Sequence, residues 1–225
     1  HAGEKMLDRC MADFGGFTHN RQSLRVVDVL ERRNPEYRGL NLTHETKESL
    51  KKHEKVTDCE TGEVLRFPLL EAQLVDLADS TAYHYHDLDD GITSELLNLE
   101  QVRKLALWRE HEKALDEKYT NLDFKLKKYQ IVRKIINNLI TDFRRTTLKN
   151  LKFNRIQSVD DVRCAKKRMA GFSKAMSEKN GELKKFLHKN LYNHRKVKRM
   201  EFKSEICLTG LFKAFTSNPV LLPES

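Results

Sequence analysis

Glu71–Gly91, EAQLVDLADSTAYHYHDLDDG, reads as one helix with Asp79, Tyr83 and Asp87 at intervals of four. That spacing puts two carboxylates and a phenol on a single face. Leu70, Leu74, Leu77 and Thr81 follow spacings of four, three and four, which predicts a core-facing stripe beside the polar row. A row of acid, phenol and acid lining a cleft can hold a metal at one end and hydroxyl groups at the other. The plainer alternative is a solvated acidic face.

Outward from this segment the pattern stays helical. Helices are expected over about 2–12, 19–33 and 43–53, the last capped by Thr43. Turn signals mark 57–67 as a loop. Two long amphipathic helices are expected at Leu99–Leu115 and Tyr119–Leu148. In the second, Phe124, Tyr129, Val132, Ile136, Leu139, Ile140 and Phe143 recur at helical spacing. Beyond Arg155 the pattern weakens, returning near Glu182–Leu191 and Lys196–Phe215. Four prolines and nine glycines in 225 residues suit an all-α fold. A single helical body is expected, with residues 1–150 and a basic C-terminal region, 151–225, packed on it.

Composition narrows the functional classes. With 39% hydrophobic and 33% charged residues, and no apolar run near the ~20 residues of a membrane span, no membrane role is expected. Cys10, Cys59, Cys164 and Cys207 form no CxxC pair, which argues against a thiolate zinc site or a disulfide framework and points to a reducing cytoplasm. Charge is uneven: residues 124–203 hold 24 Lys and Arg against 6 Asp and Glu. Such a block suits a polyanion, whether a nucleoside triphosphate, single-stranded nucleic acid or an acidic subunit surface. Phe153, Phe172, Phe186 and Tyr192 lie among these cations, as base stacking would need, although aromatics at helical spacing are more often core.

Three further blocks concentrate unusual residues. His1 and Glu4 are three apart, within one helical turn; an imidazole held by a carboxylate can act as a general acid. Gly15-Gly16 precedes a helix start at His19, a reasonable anion site, but there is no Walker pattern. A third segment ends in Lys51-Lys52-His53.

Taken in order, HAGE at 1–4, GGFTHNRQSLRVV at 15–27, GLNLTHE at 39–45 with KKH at 51–53, and the 71–91 segment resemble the signature blocks of the HD-superfamily deoxynucleoside triphosphate triphosphohydrolases, bacterial dGTPase-like branch. The tail, with LYNHRKVKRMEF at 191–202 and LFKAFTSNPVLLPES at 211–225, is similar to that family's C-terminal region. The resemblance implies an all-α, HD-domain-like helical bundle with a C-terminal helical extension. It also implies hydrolysis of a dNTP to deoxynucleoside and inorganic triphosphate.

By the same resemblance Asp79 matches a metal ligand, His1 with Glu4 the proton donor and its orienting group, His19 and Lys52 phosphate contacts, and Tyr83 with Asp87 the sugar site. The divalent ion (Mg, Mn, Co or Fe) would take its other ligands from residues preceding the HAGE-like block, so the chain is expected to be N-terminally incomplete. His86-Asp87 is an HD dipeptide, but it follows Asp79 on the same helix and is not the family's metal pair. Family members are commonly oligomeric, so a homo-oligomer is expected; dNTP activation stays open. The competing class is a basic helical module that binds nucleic acid or regulates a partner, with an inert site.

Overall fold

A computed structural model describes residues 2–51 and 67–222, and among them the protein is all-α. The α-helices in chain order are α1 (Ala2–Cys10), α2 (His19–Arg25), α3 (His44–Leu50), α4 (Leu70–Thr93), α5 (Leu99–Val102), α6 (Ala106–Asp116), α7 (Phe124–Phe153), α8 (Val159–Arg163), α9 (Lys174–Leu187) and α10 (Arg195–Ser217). Among the described residues the one β-type pairing is an isolated bridge between Arg32 and Gly39. The chain forms two compact units, residues 1–54 with 195–225, and residues 55–194. The boundary expected near residue 150 falls inside α7.

In the first unit α1 packs along α10, and Gly3 faces the Leu208 side chain. The expected 19–33 helix is shorter: α2 widens into a π-helical turn at Val26–Leu30, and Glu31 is extended. The chain then returns to that turn, with the Gly39 N–H bonding to the Glu31 carbonyl at 2.8 Å and the Leu40 N–H to the Val27 carbonyl at 2.7 Å. Gly39 has φ +72°, and a Cβ there would collide with the Asp28 and Val27 backbone, so only glycine fits. Thr43 caps α3 as expected, accepting from the Thr46 N–H. The loop expected at 57–67 lies outside the described residues except for Phe67, as do His1, Lys52 and His53.

In the second unit the expected 99–115 helix is split. Leu105 is extended, and the first N–H of α6, at Ala106, is met by a Glu182 carboxylate oxygen at 3.0 Å. The next helix starts at Phe124 rather than Tyr119, because Asn121 is left-handed (φ +66°) and Asp123 caps α7 through the Leu126 N–H. Arg155, at φ +53°, follows its far end.

The apolar faces are rotated from those expected. On α4 the fully sheltered row is Thr81, Tyr85, Leu88 and Ile92, while Leu70, Leu74 and Leu77 are half-buried. On α7 the row is Ile131, Ile135 and Leu139; Phe124, Tyr129 and Ile140 are exposed. Apolar residues occupy both 131/132 and 135/136, so the sequence defines a wide arc and packing chooses its centre. Trp108 of α6 and Leu187 of α9 close this core.

Between α8 and α9 the chain has no regular structure, and side chains of α4 and α7 satisfy its backbone. Buried Gln73 accepts from the Met169 and Ala170 N–H groups at 2.9 and 3.2 Å and donates to the Pro68 carbonyl at 2.8 Å. Asn150 donates to the Met169 carbonyl at 2.9 Å, and Asp142 accepts from the Ser173 N–H at 2.8 Å. These bonds answer the rule that buried backbone polar groups need partners. Gln73→Leu leaves two buried N–H groups unmet, at about 1–3 kcal/mol each. Urea denaturation is therefore expected to show a loss of roughly 2 kcal/mol or more; an unchanged midpoint counts against this role.

Candidate functional site

Two constellations stand out, one in each unit. In the first, the Gly15–Gly16 turn has both residues left-handed (φ +86° and +73°), and Arg21 donates to their carbonyls at 2.9 and 3.1 Å. This turn delivers His19 as the first residue of α2, with Thr18 as its cap. Glu4 of α1 then takes two bonds on one carboxylate oxygen: the His19 backbone N–H at 2.9 Å and His19 Nδ1 at 2.6 Å. The Phe17 N–H goes to Asp8 at 2.8 Å. The anion expected at this helix start is thus the protein's own Glu4 carboxylate. It holds the imidazole through Nδ1 and leaves Nε2 for another partner.

The Glu4 carboxyl sits below its ordinary value of 4.5, chiefly through the backbone N–H of His19 and secondarily through the imidazole.

The second constellation lies on α4. Asp87 is half-buried, and the Tyr192 hydroxyl donates to its Oδ2 at 2.5 Å. Burial first, and the Asp87 bond second, push the Tyr192 phenol well above the usual tyrosine range, so it remains a donor. Tyr83, half-exposed, has its ring centroid 6.4 Å from that of Tyr192. Its phenol is also raised, by burial and then by the Asp87 charge. A carboxylate flanked by two phenols is suited to accept from a ligand hydroxyl while apolar ring faces cover the ligand's carbon skeleton. His84, edge-on to Tyr83, is held below its ordinary pKa by burial and then by Lys184.

Asp79 lies on the exposed side of α4, two turns before Asp87. Among the described residues no three His, Cys, Asp or Glu side chains gather as a metal site. One carboxylate does not hold a divalent ion, so these residues alone do not fit the metal that the family resemblance implies. The structure therefore brings Glu4 to His19, and Tyr83 to Asp87. Tyr192 was not singled out as a site residue, although it lies in the tail block quoted above. Of the aromatics among the cations, Phe172, Phe186 and Tyr192 pack against the core, and Phe153 stays out at 80% exposure. No helix of the described residues is long and apolar enough to cross a membrane.

Comparison with known proteins bears out the resemblance. Residues 170–225 match the phosphohydrolase-associated domain family. The deoxyguanosinetriphosphate triphosphohydrolase-like protein of Geobacter sulfurreducens is 43% identical over 228 residues, covering 99% of this chain and 59% of that protein. Proteins of the same name from Thiobacillus denitrificans and Bordetella pertussis are 44% and 43% identical, each covering 99% of this chain and 61% of its own length. The chain thus spans about three fifths of the length of these curated relatives.

The Glu4–His19 contact has a pH signature. A carboxyl whose pKa is lowered on folding adds stability above its unfolded value, and that contribution disappears as pH falls through the folded value. Thermal unfolding of the protein and of Glu4→Gln is expected to differ at pH 6 and to converge well below pH 4.5. A gap that stays constant down to pH 3 contradicts the assignment.

Proposed function

From a chain similar over 99% of its length to dGTP triphosphohydrolase-like proteins, we propose a phosphohydrolase that splits a deoxynucleoside triphosphate into deoxynucleoside and inorganic triphosphate. The observation that carries this reading is the carboxylate-held imidazole of His19, whose Nε2 is left for a ligand. In the reaction a water oxygen bonds to the α-phosphorus, the bond from phosphorus to the 5′-oxygen breaks, and that oxygen takes up a proton.

Each residue has a task in this scheme. Glu4 fixes the imidazole of His19, so that its protonated form offers Nε2–H to a phosphate oxygen. His1, outside the described residues, is assigned the proton for the 5′-oxygen, and Lys52 a phosphate contact. Asp87 accepts from the sugar 3′-hydroxyl, held in place by Tyr192, while the Tyr83 ring packs against the deoxyribose. A 2′-hydroxyl would add a polar group against that ring face, which favours deoxyribose. Asp79 offers one carboxylate toward the divalent ion that HD-type phosphohydrolases generally use; its remaining ligands are not among the described residues.

A homo-oligomer and a cytoplasmic setting belong to the same proposal.

The test is product identity. The full-length protein given dGTP and a divalent cation is expected to release deoxyguanosine and triphosphate in equal amounts, while residues 1–225 alone are expected to be inactive; stepwise release of orthophosphate by the full-length protein would overturn the reading. Asp87→Ala is expected to weaken dNTP binding at least tenfold while leaving inhibition by inorganic triphosphate within about twofold, as loss of a charge-assisted hydrogen bond of roughly 1.5–3 kcal/mol requires. Equal losses for both ligands would remove the sugar assignment.

A further inference from the structure

His84 takes no part in the scheme above, yet its ring stands against the sugar pocket. It follows Tyr83 on α4, and the two rings meet edge-on, centroids 5.9 Å apart at 79°. Its Nδ1 is shut away from solvent without a well-formed hydrogen bond. Burial first, and then Lys184 of α9, oppose a proton on this ring and outweigh the Ser80 carbonyl and Asp87, which favour one. Other groups near α4 are engaged elsewhere. Lys128 of α7 is held by Asp89, about 140° around the helix axis from His84, and Arg168 by Asp76, two turns earlier. His188, where the winding of α9 changes, faces its own neighbour Asn193, and the Tyr192 hydroxyl goes to Asp87. Uncharged, the His84 ring serves as an apolar edge beside Tyr83. Charged, it would stand near Lys184 in a place that withholds water.

We propose that His84 is a positioning residue whose neutral ring holds Tyr83 against the deoxyribose, and that gaining a proton releases Tyr83 and loosens the grip on the nucleoside. This rests on the sugar site proposed above and gives that site an acid-sensitive latch. Tyr83 is 49% exposed, and the rings against it are those of His84 and Tyr192. Tyr192 is tied to Asp87 by its hydrogen bond. His84 is kept in place by packing, and the packing of an imidazole depends on its charge. The imidazolium, facing Lys184, gains by turning to water, and Tyr83 then loses the edge that kept it in place. Because the pKa of His84 lies below its ordinary 6.5, the neutral form prevails at neutral pH, and the positioning is lost as pH falls through that lowered value. The effect belongs to the nucleoside end of the ligand, because inorganic triphosphate makes no use of Tyr83 or Asp87 in this scheme.

The experiment is calorimetric titration of dGTP and, separately, of inorganic triphosphate into the full-length protein in EDTA, so that nothing is turned over, from about pH 7.5 to about pH 5. Relative to triphosphate, dGTP affinity is expected to fall by roughly 3- to 10-fold over that range, the weight of one aromatic contact. His84→Phe keeps a ring edge and cannot take a proton. It is expected to bind dGTP within about twofold of the wild type at neutral pH and to show no such fall. His84→Ala is expected to bind dGTP weakly at both ends of the range. Circular dichroism checks that each variant folds; if His84→Phe does not, the pH-independent weak binding of His84→Ala decides. A wild-type ratio that does not change with pH, or a fall that persists in His84→Phe, overturns the proposal. Asp87→Ala tells this outcome apart from a failure of the sugar site. If it leaves dGTP binding untouched, the site and the role of His84 fall together; if it weakens binding while His84→Phe keeps the wild-type pH course, the role of His84 alone falls.

Discussion

The burial of Thr81, Tyr85, Leu88 and Ile92 fixes the rotation of α4, and the polar side chains of that helix take their directions from it. Tyr83 and Tyr85 are two residues apart, so they point about 200° away from each other around the axis. One phenol is sealed in the core and the other stands half in water. Asp87 falls on the edge between these faces, where a carboxylate is sheltered enough to need a donor and open enough to meet a ligand. Tyr192, 105 residues later, supplies that donor. Each large core side chain contributes about 1.5–3 kcal/mol on burial, so this orientation is set by apolar packing rather than by the polar row it displays.

Charge does two different jobs in the second unit. Cations at the near end of α7 and on α9 reach carboxylates of neighbouring helices: Lys127 to Glu112, Lys128 to Asp89, Lys179 to Glu110. The more exposed of these, Lys179 to Glu110, is of a kind worth about 0–1 kcal/mol, while Lys127 and Glu112 are both largely sheltered. Among the described residues the far end of α7 has no such partners. A net charge of +9 therefore understates how local the positive potential is.

The all-α class and the helical reading of 71–91 were legible because long, proline-free periodic segments have few alternatives. Thr43 as a cap was legible for the same local reason. The failures have physical causes. The break at Leu105 depends on Glu182, 76 residues beyond Ala106, capping α6, and no local pattern announces that. The buried stripe of α7 was read one position off because apolar residues are doubled along it. Gln73 looks like a surface residue in sequence; its burial makes sense only once the irregular 164–173 segment lies against it. At the candidate site, Glu4 and His19 were both legible by type. Their mutual contact required the two-glycine turn to reverse the chain, and Tyr192 required a partner from a distant helix.

The π-helical stretch His188–Tyr192 extends α9 by a turn that holds one more residue than α geometry allows. That surplus residue sets the phase of everything after it. Winding the same residues as a regular α-helix would swing residue 192 through about 100°, leaving the Asp87 oxygen facing an empty direction. The local unwinding thus works as a spacer: a modest irregularity in one helix keeps a phenol in step with an acid on another.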